Sequence, residues 1–166
     1  VYLIGRPEHG ADAIRIAKQA ILDGKVLAIK GIGGFHLCCN AFDKEAVMRL
    51  RSLKHRPVKP FALMMKDLDA VRKHCHLPEN LTALLDGHQK PIILLEKKSQ
   101  SSLPEELAPG NPKLGIMLPY TPLHMLLFHD DGLPMPEAFV MTSGNVSGAP
   151  ICRSDEDALA EISSFC

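Results

Sequence analysis

Short uninterrupted apolar runs alternate along the chain with stretches of helical periodicity. The first periodic stretch, 10–23, predicts a helix that is ended by Gly24. Its predicted inner face comprises Ala11, Ile14, Ala17 and Ile21. Runs such as "VLAI" (26–29) and "IILLE" (92–96) lack polar alternation, which is typical of strands buried on both faces. The alternation of these two patterns predicts an α/β protein.

Proline and capping residues set the predicted boundaries of the elements. Asp43 is a good N-cap, Pro57 prevents a helix from continuing, and Pro122 suits a first helical turn. We predict strands at 26–29, 35–41, 61–65, 92–96, 114–118 and 138–142. We predict helices at 10–23, 43–55, 67–75, 78–86, 121–129 and 154–162. We predict that these elements form an open, twisted, mixed or parallel sheet with helices on both faces. Ligands of such sheets bind at loops beyond the strand ends.

Composition narrows the classes of function. The 166 residues are 46% hydrophobic and 23% charged, which indicates a single folded domain over 1–166. Because 19 basic residues balance 19 acidic ones, bulk charge favours neither a nucleic acid nor a membrane partner, and any anion site must be local. The five cysteines form no Cys-x-x-Cys pair, so we expect reduced thiols, no metal site and a cytoplasmic location. The chain does not begin with Met, which favours a domain of a longer protein.

The first loop of unusual composition is "KGIGGFH" (30–36). Its opening is similar to a dinucleotide-binding fingerprint, but His36 takes the place of the third glycine. A strand follows the loop where the fingerprint needs a helix, so we exclude a Rossmann site. Glycines such as Gly33 and Gly34 nevertheless let the backbone approach a ligand closely.

The second loop is "KHRPVKPFALM" (54–64), which is rich in cations. Lys54 and Arg56 stand at a predicted helix C-terminus, where the helix dipole favours positive charge. Lys59 lies beyond the helix between two prolines, and the dipole does not explain it. The residues alone leave a phosphate site and a solvated helix end equally open.

The third loop is "VMTSGNVSGAP" (140–150), which follows a predicted buried strand. Taken alone, its polar residues favour a turn that leads to the next helix. The alternative is a nest of donors for an anion or a nucleotide. The polar side chains are those of Thr142, Ser143, Asn145 and Ser147. We predict that the three loops converge at one edge of the sheet and line one cavity.

Lys-x-Arg-Pro-x-Lys-Pro-Phe, followed about eighty residues later by Thr-Ser-Gly-Asn-x-Ser-Gly, resembles the YrdC-like family. In that family the two motifs bind ATP on the concave face of a twisted α/β sheet. The resemblance spans nearly the whole chain in the right order. It implies that the basic loop is a phosphate site.

A finer resemblance comes from the first loop. Members that make threonylcarbamoyl-adenylate for tRNA modification carry Pro-Thr-Asp-Thr-x-Tyr-Gly-Leu, whereas "KGIGGFHL" places Gly31 and Gly33 at the two threonines. Together with "GIMLPYTPLH" (115–124), this loop is similar to the branch that transfers carbamoyl groups in [NiFe]-hydrogenase maturation. Without the two hydroxyls the loop cannot hold an amino acid, and a small planar group suits it better.

The resemblance implies a reaction and a set of partners. Carbamate derived from carbamoyl phosphate would attack the α-phosphorus of ATP, giving carbamoyl-adenylate and pyrophosphate for synthesis of the cyanide ligand. The same polypeptide would carry acylphosphatase-like, zinc-finger and Kae1-like domains, and HypE would accept the carbamoyl group. Mg²⁺ would arrive on the nucleotide, because few acids lie near these loops.

The resemblance also implies roles for particular residues. Lys54 and Arg56 would act on the triphosphate as catalytic groups. His36 would either contact the carbamoyl group or, as we prefer, be a neutral structural histidine. The remaining residues implied in nucleotide binding are Gly33, Gly34, Lys59, Pro119, Tyr120, Thr142, Ser143, Asn145 and Ser147.

Two rival interpretations stay open. A threonylcarbamoyl-AMP synthase would have the same fold and would require L-threonine for ATP–pyrophosphate exchange. A double-stranded RNA-binding module would be non-enzymatic, and the neutral net charge weighs against it because affinity grows with the number of phosphates neutralised.

Overall fold

The computed structural model describes residues 1–146 and 148–166, and the predicted alternation of elements is present. The strands are β1 Leu27–Lys30, β2 Phe35–Asn40, β3 Ala62–Met65, β4 Ile93–Glu96, β5 Lys113–Met117 and β6 Ala138–Ser143. The α-helices are α1 Gly10–Leu22, α2 Lys44–Leu53, α3 Leu68–His74, α4 Glu79–Asp86, α5 Pro122–Phe128 and α6 Asp155–Glu161. Short 3₁₀ helices cover Glu105–Leu107 and Ser163–Phe165.

Side-chain caps fix the starts of several helices, and the predicted Asp43 cap is one of them. The Asp43 carboxylate accepts from the Ala46 N–H at the start of α2, and Thr121 accepts from the His124 N–H at the start of α5. Ser154 and Asp157 form a reciprocal capping box at α6. These caps satisfy N–H groups that have no partner within their own helix.

The six strands form one open sheet in the order β1-β2-β6-β3-β5-β4. Only β3 and β5 pair in parallel, and the other four pairings are antiparallel. The predicted mixed sheet is therefore present, with antiparallel pairing dominant. The uninterrupted apolar runs of the central strands reflect burial on both faces, which antiparallel strands also show when helices cover both sides.

The two faces of the sheet are covered to different extents. One face packs Leu63 and Val140 against helices α2, α3, α4 and α6, which supply Leu50, Val71 and Leu85 among others. On the other face Met64, Phe139 and Cys38 pack against Ile21 of α1 and Leu127 and Phe128 of α5. Beyond α5 this second face continues uncovered, and Leu94 there is 66% exposed. The uncovered part is the floor of a cleft.

The predicted inner face of α1 is partly wrong. Ala11 is exposed, whereas Ala13, Lys18 and Ile21 are the buried residues of this helix. The Lys18 ammonium is buried because it donates to the His129 carbonyl at 2.7 Å and pairs with the Asp131 carboxylate at 2.9 Å. A buried cation that is paired in this way does not show in a pattern of apolar spacing. Within the described residues, no helix has the length and apolarity needed to cross a membrane.

Candidate active site

A cleft of ≈ 700 Å³ lies on the uncovered part of the sheet. Ile32 and His36 from the first loop, Arg56 and Pro60 from the second, and Thr142 and Ser143 from the third all line it. The predicted convergence of the three loops on one cavity is therefore present in the structure. Its volume falls within the usual range for small-molecule sites, about 300–1,000 Å³.

Arg56 presents a partly satisfied guanidinium to this cleft. Its Nε donates to the Lys59 carbonyl at 3.1 Å, its Nη1 donates to Thr142 Oγ1 at 3.1 Å, and its Nη2 donates to the Pro60 carbonyl. A guanidinium has five N–H groups, so one on each terminal nitrogen is not used by any residue that the structure describes. Burial lowers the pKa of Arg56 from its ordinary value. The side chain is held in place and keeps two donors beyond its bonds with the described residues.

Arg51, which was not among the predicted site residues, donates hydrogen bonds to the backbone of the basic loop 54–64. It is 6% exposed, and its guanidinium donates to backbone carbonyls of two segments, 56–59 and 106–107. The guanidinium carbons of Arg51 and Arg56 lie 4.6 and 4.9 Å from the centre of the Phe61 ring. The backbone carbonyls that accept from the Arg51 guanidinium are those of Arg56, Pro57, Lys59, Glu106 and Leu107. Arg51 therefore fixes the course of the loop that carries Arg56.

Lys54 is placed differently from the predicted phosphate contact. Its side chain is almost fully buried, and its ammonium donates to the Ser143 carbonyl at 2.7 Å, the Asn145 carbonyl at 3.0 Å and Asn145 Oδ1 at 2.9 Å. Burial, with a further contribution from Arg56, lowers its pKa to about 8. An ammonium has three N–H donors, and all three are used within the protein here. In this structure Lys54 joins the second loop to the third.

Asn145 and Ser143 form a closed network with Lys54. Ser143 Oγ donates to Asn145 Oδ1 at 2.8 Å, and Asn145 Nδ2 donates to the Ala149 carbonyl at 2.6 Å. Thr142 Oγ1, in turn, accepts from Arg56. The predicted contacts of these side chains with a nucleotide stay a prediction. Ser147 lies outside the described residues.

Backbone hydrogen bonds join the first loop to the third. The Gly144 N–H donates to the Phe35 carbonyl at 2.7 Å, and the Phe35 N–H donates to the Cys152 carbonyl at 2.8 Å. A Cβ on Gly144 would lie 2.7 Å from the Phe35 oxygen. A Cβ on Gly34, whose φ is +142°, would lie 2.7 Å from the Cys152 oxygen. Glycine at these two positions thus permits the close approach of the two loops.

The other predicted site residues lie around the cleft at different depths. Tyr120 lines it, whereas Pro119 lines a neighbouring cleft of ≈ 470 Å³. Lys59 is exposed, and its ammonium makes no hydrogen bond with a described residue. Gly33 has open space where a side chain would be. The segment 88–90, which also lines the cleft, was missed because a polar turn between a helix and a strand carries no distinctive signal.

Two histidines, the half-buried His36 and the fully buried His124, lie near the cleft floor. Within the part of the chain that the structure describes, His36 Nδ1 and both ring nitrogens of His124 are buried without a hydrogen-bond partner. The Tyr120 and His124 rings meet edge to face, with centroids 4.5 Å apart. Burial lowers the pKa of both histidines, and the pKa of His124 falls to about 4 with a contribution from His36. Both rings are neutral at physiological pH.

Positive charge at the site has no carboxylate partner. Arg51, Lys54, Arg56 and Lys59 make no salt bridge with any described residue. The described lining of the cleft contains no Asp or Glu. Cations that are held this close together repel each other unless an anion lies among them. The arrangement is therefore that of an anion-binding cleft.

A family model described as "Telomere recombination" and named for Sua5, YciO and YrdC matches residues 19–165. The chain belongs to this Sua5/YrdC family. It is 48% identical over 152 residues to "Carbamoyltransferase HypF" of a Synechocystis species, covering 91% of this chain and 19% of the relative. It is 47% identical over 161 residues to the protein of the same name from Rhodobacter capsulatus, covering 97% and 21%. The chain thus spans about a fifth of the length of these curated relatives.

Solved structures agree with this assignment. The chain matches a crystal structure of full-length HypF in its phosphate- and nucleotide-bound form with a TM-score of 0.86 and 44% identity. The match covers 96% of this chain and 21% of the other. The resemblance to the YrdC-like part of HypF carbamoyltransferases, predicted from the loop motifs, is confirmed.

Proposed function

We propose that the cleft is the ATP site of a carbamoyltransferase and that it forms carbamoyl-adenylate. The observation that carries this proposal is that Arg56 keeps two N–H groups unused by the described residues, in a basic cleft whose described lining has no acid. A planar fork of two donors matches two oxygens of a phosphate. The nucleotide in the related HypF structure supports the same ligand class.

The proposed chemistry needs positioning and charge stabilisation. A carbamate oxygen attacks the α-phosphorus of ATP, the bond from that phosphorus to the bridging oxygen breaks, and pyrophosphate leaves. Negative charge grows on the phosphoryl oxygens and on the leaving group, so preorganised cations lower the barrier. Arg56 contacts the phosphates directly, Lys59 joins it from the rim, and Lys54 holds the 143–145 segment in place. Ile92, Leu94 and Gly115 offer an apolar surface for adenine.

The proposal extends to metal, partners and location. Mg²⁺ enters with the nucleotide, because the described lining of the cleft supplies no carboxylate to hold it. Acylphosphatase-like, zinc-finger and Kae1-like domains act in the same polypeptide, which agrees with relatives about five times as long as this chain. HypE accepts the carbamoyl group for cyanide synthesis. The protein acts in the cytoplasm, where a reducing environment keeps its five cysteines free.

The test is exchange of labelled pyrophosphate into ATP by the natural polypeptide that contains this chain. We expect exchange that depends on carbamoyl phosphate and is unchanged by L-threonine. Exchange that requires L-threonine would instead identify a threonylcarbamoyl-AMP synthase. A complex with duplex RNA that dissociates steeply with salt, in the absence of any exchange, would favour the non-enzymatic alternative.

A further inference from the structure

Two histidines near the cleft floor have buried ring nitrogens with no hydrogen-bond partner among the described residues. His124 is 0% exposed, yet neither of its ring nitrogens has a described hydrogen-bond partner. A buried polar group without a partner destabilises the folded state, so proteins rarely keep one that serves no purpose. Phenylalanine would fill similar space without that cost. The position is therefore better suited to binding than to packing.

His36 brings the same chemistry to the cleft itself. It lies on β2 opposite Ser143 of β6, and both residues line the cleft. Its Nδ1 is buried without a described partner. Tyr120 lines the same cleft, and its ring contacts His124, which therefore lies directly behind the cleft lining. The two imidazoles thus belong to one end of the cleft.

Gly31 determines where the His36 ring lies. A Cβ at Gly31 would be 2.9 Å from both Nδ1 and Cε1 of His36. Any side chain there would have to displace the imidazole, because real Cβ contacts are essentially never that short. Gly31 is also the position at which the threonylcarbamoyl motif places a threonine. The His36 ring therefore lies where the side chain of a larger residue 31 would be.

We propose that His36 and His124 form a subsite for the carbamoyl group and that Gly31 keeps it open. A neutral imidazole offers one N–H donor and one lone-pair acceptor. A carbamoyl group offers the complement, an acceptor C=O and a donor NH₂, on a planar unit small enough to lie beside two rings. This subsite rests on the proposed function, since its ligand is the group that the ATP site activates. It selects against an acetyl group, which lacks the NH₂ donor.

The experiment uses the natural polypeptide with the variants His124→Phe, His36→Gln and Gly31→Ala. Three quantities are measured: affinity for a non-hydrolysable ATP analogue, carbamoyl-phosphate-dependent pyrophosphate exchange, and melting temperature. We expect unchanged analogue affinity and an exchange rate lowered about 10²-fold in each variant. His124→Phe should melt at the same temperature or higher, because it removes an unpartnered polar group. The preference for carbamoyl phosphate over acetyl phosphate should shrink in all three.

His74→Phe is the matched control. His74 is also buried, but its Nδ1 lies 3.0 Å from Ser101 Oγ and its Nε2 lies 3.3 Å from Glu137 Oε2. Its replacement should lower the melting temperature and leave exchange intact, which is the opposite result. Folded His124→Phe and His36→Gln proteins with normal exchange would overturn the subsite while leaving the ATP site in place. Failure of the wild-type protein to bind the analogue would overturn the proposed function itself.

Discussion

Arg56 is the residue whose replacement tests the proposed ATP site most sharply. Arg56→Ala removes three hydrogen bonds within the protein and the contact of its guanidinium with Phe61. Because net contributions of such bonds are about 0.5–1.5 kcal/mol each and the side chain is half-buried, we expect the free energy of unfolding to fall by about 1–3 kcal/mol. That loss leaves a folded protein if the wild type has ordinary stability.

The effect on the reaction should be larger than the effect on folding. Arg56→Ala also removes the two N–H groups that we assign to the phosphates. Loss of one preorganised donor typically costs about 10²–10³ in rate, equivalent to roughly 3–4 kcal/mol. Arg56→Lys should recover only part of the rate, because an ammonium cannot reproduce the planar fork.

The assay is carbamoyl-phosphate-dependent pyrophosphate exchange in the natural polypeptide, with urea unfolding followed in parallel. Arg72→Ala is a suitable control, since Arg72 is an exposed arginine whose side chain pairs only with Asp69 among the described residues. It should leave both measurements nearly unchanged. A folded Arg56→Ala protein with near-wild-type exchange would refute the assignment of Arg56 to the triphosphate.

Three further predictions follow from the network around the cleft. Arg51→Leu should lower the free energy of unfolding by about 3–5 kcal/mol, because five buried or half-buried carbonyls lose a charged donor; a urea titration showing less than 1 kcal/mol would contradict this. Gly144→Ala should lower both the melting temperature and the affinity for an ATP analogue, because the new Cβ would collide with the Phe35 oxygen. Gly132→Ala is the control: a Cβ at Gly132 has no neighbour within 4 Å, so this change should affect only stability. The folded-state pKa of Lys54, about 8, lies below its ordinary value of 10.5, so the unfolded chain binds more protons between these values and stability should rise with pH across that window. The Lys54→Met variant should lack this rise of the free energy of unfolding with pH. An equal pH dependence in the wild type and the variant would disprove the lowered pKa of Lys54.

Much of the fold was predictable because each element carries its own local signal. The apolar run at 62–65, the Asp43 cap and Pro122 in a first turn act over a few residues, and all three work as predicted. The sequence does not show that most strands of the sheet pair in antiparallel. A run such as "FVMT" is buried on both faces in either kind of sheet, and pairing depends on residues distant in sequence.

The site was predictable in its loops and less so in its contacts. The cations and glycines marked the three loops, but the burial of Lys54 against Ser143 and Asn145 depends on how those loops meet. Arg51 was missed because its partners are backbone carbonyls, including two in the 3₁₀ helix Glu105–Leu107. Backbone acceptors exist at every residue, so no sequence pattern identifies them. His124 was missed because it lies within an apolar helix.

The most direct test of carbamoyl-adenylate formation is the fate of the carbamate oxygen. The natural polypeptide is supplied with ATP, an acceptor protein and carbamoyl phosphate labelled with ¹⁸O at the carbonyl, and the AMP is analysed by mass spectrometry. If carbamate attacks the α-phosphorus and the C–O bond later breaks during transfer, one carbamate oxygen remains on AMP. Because the two carbamate oxygens are equivalent, up to half of the AMP should carry the label. Release of unlabelled AMP, or of ADP in place of AMP and pyrophosphate, would contradict the proposed reaction.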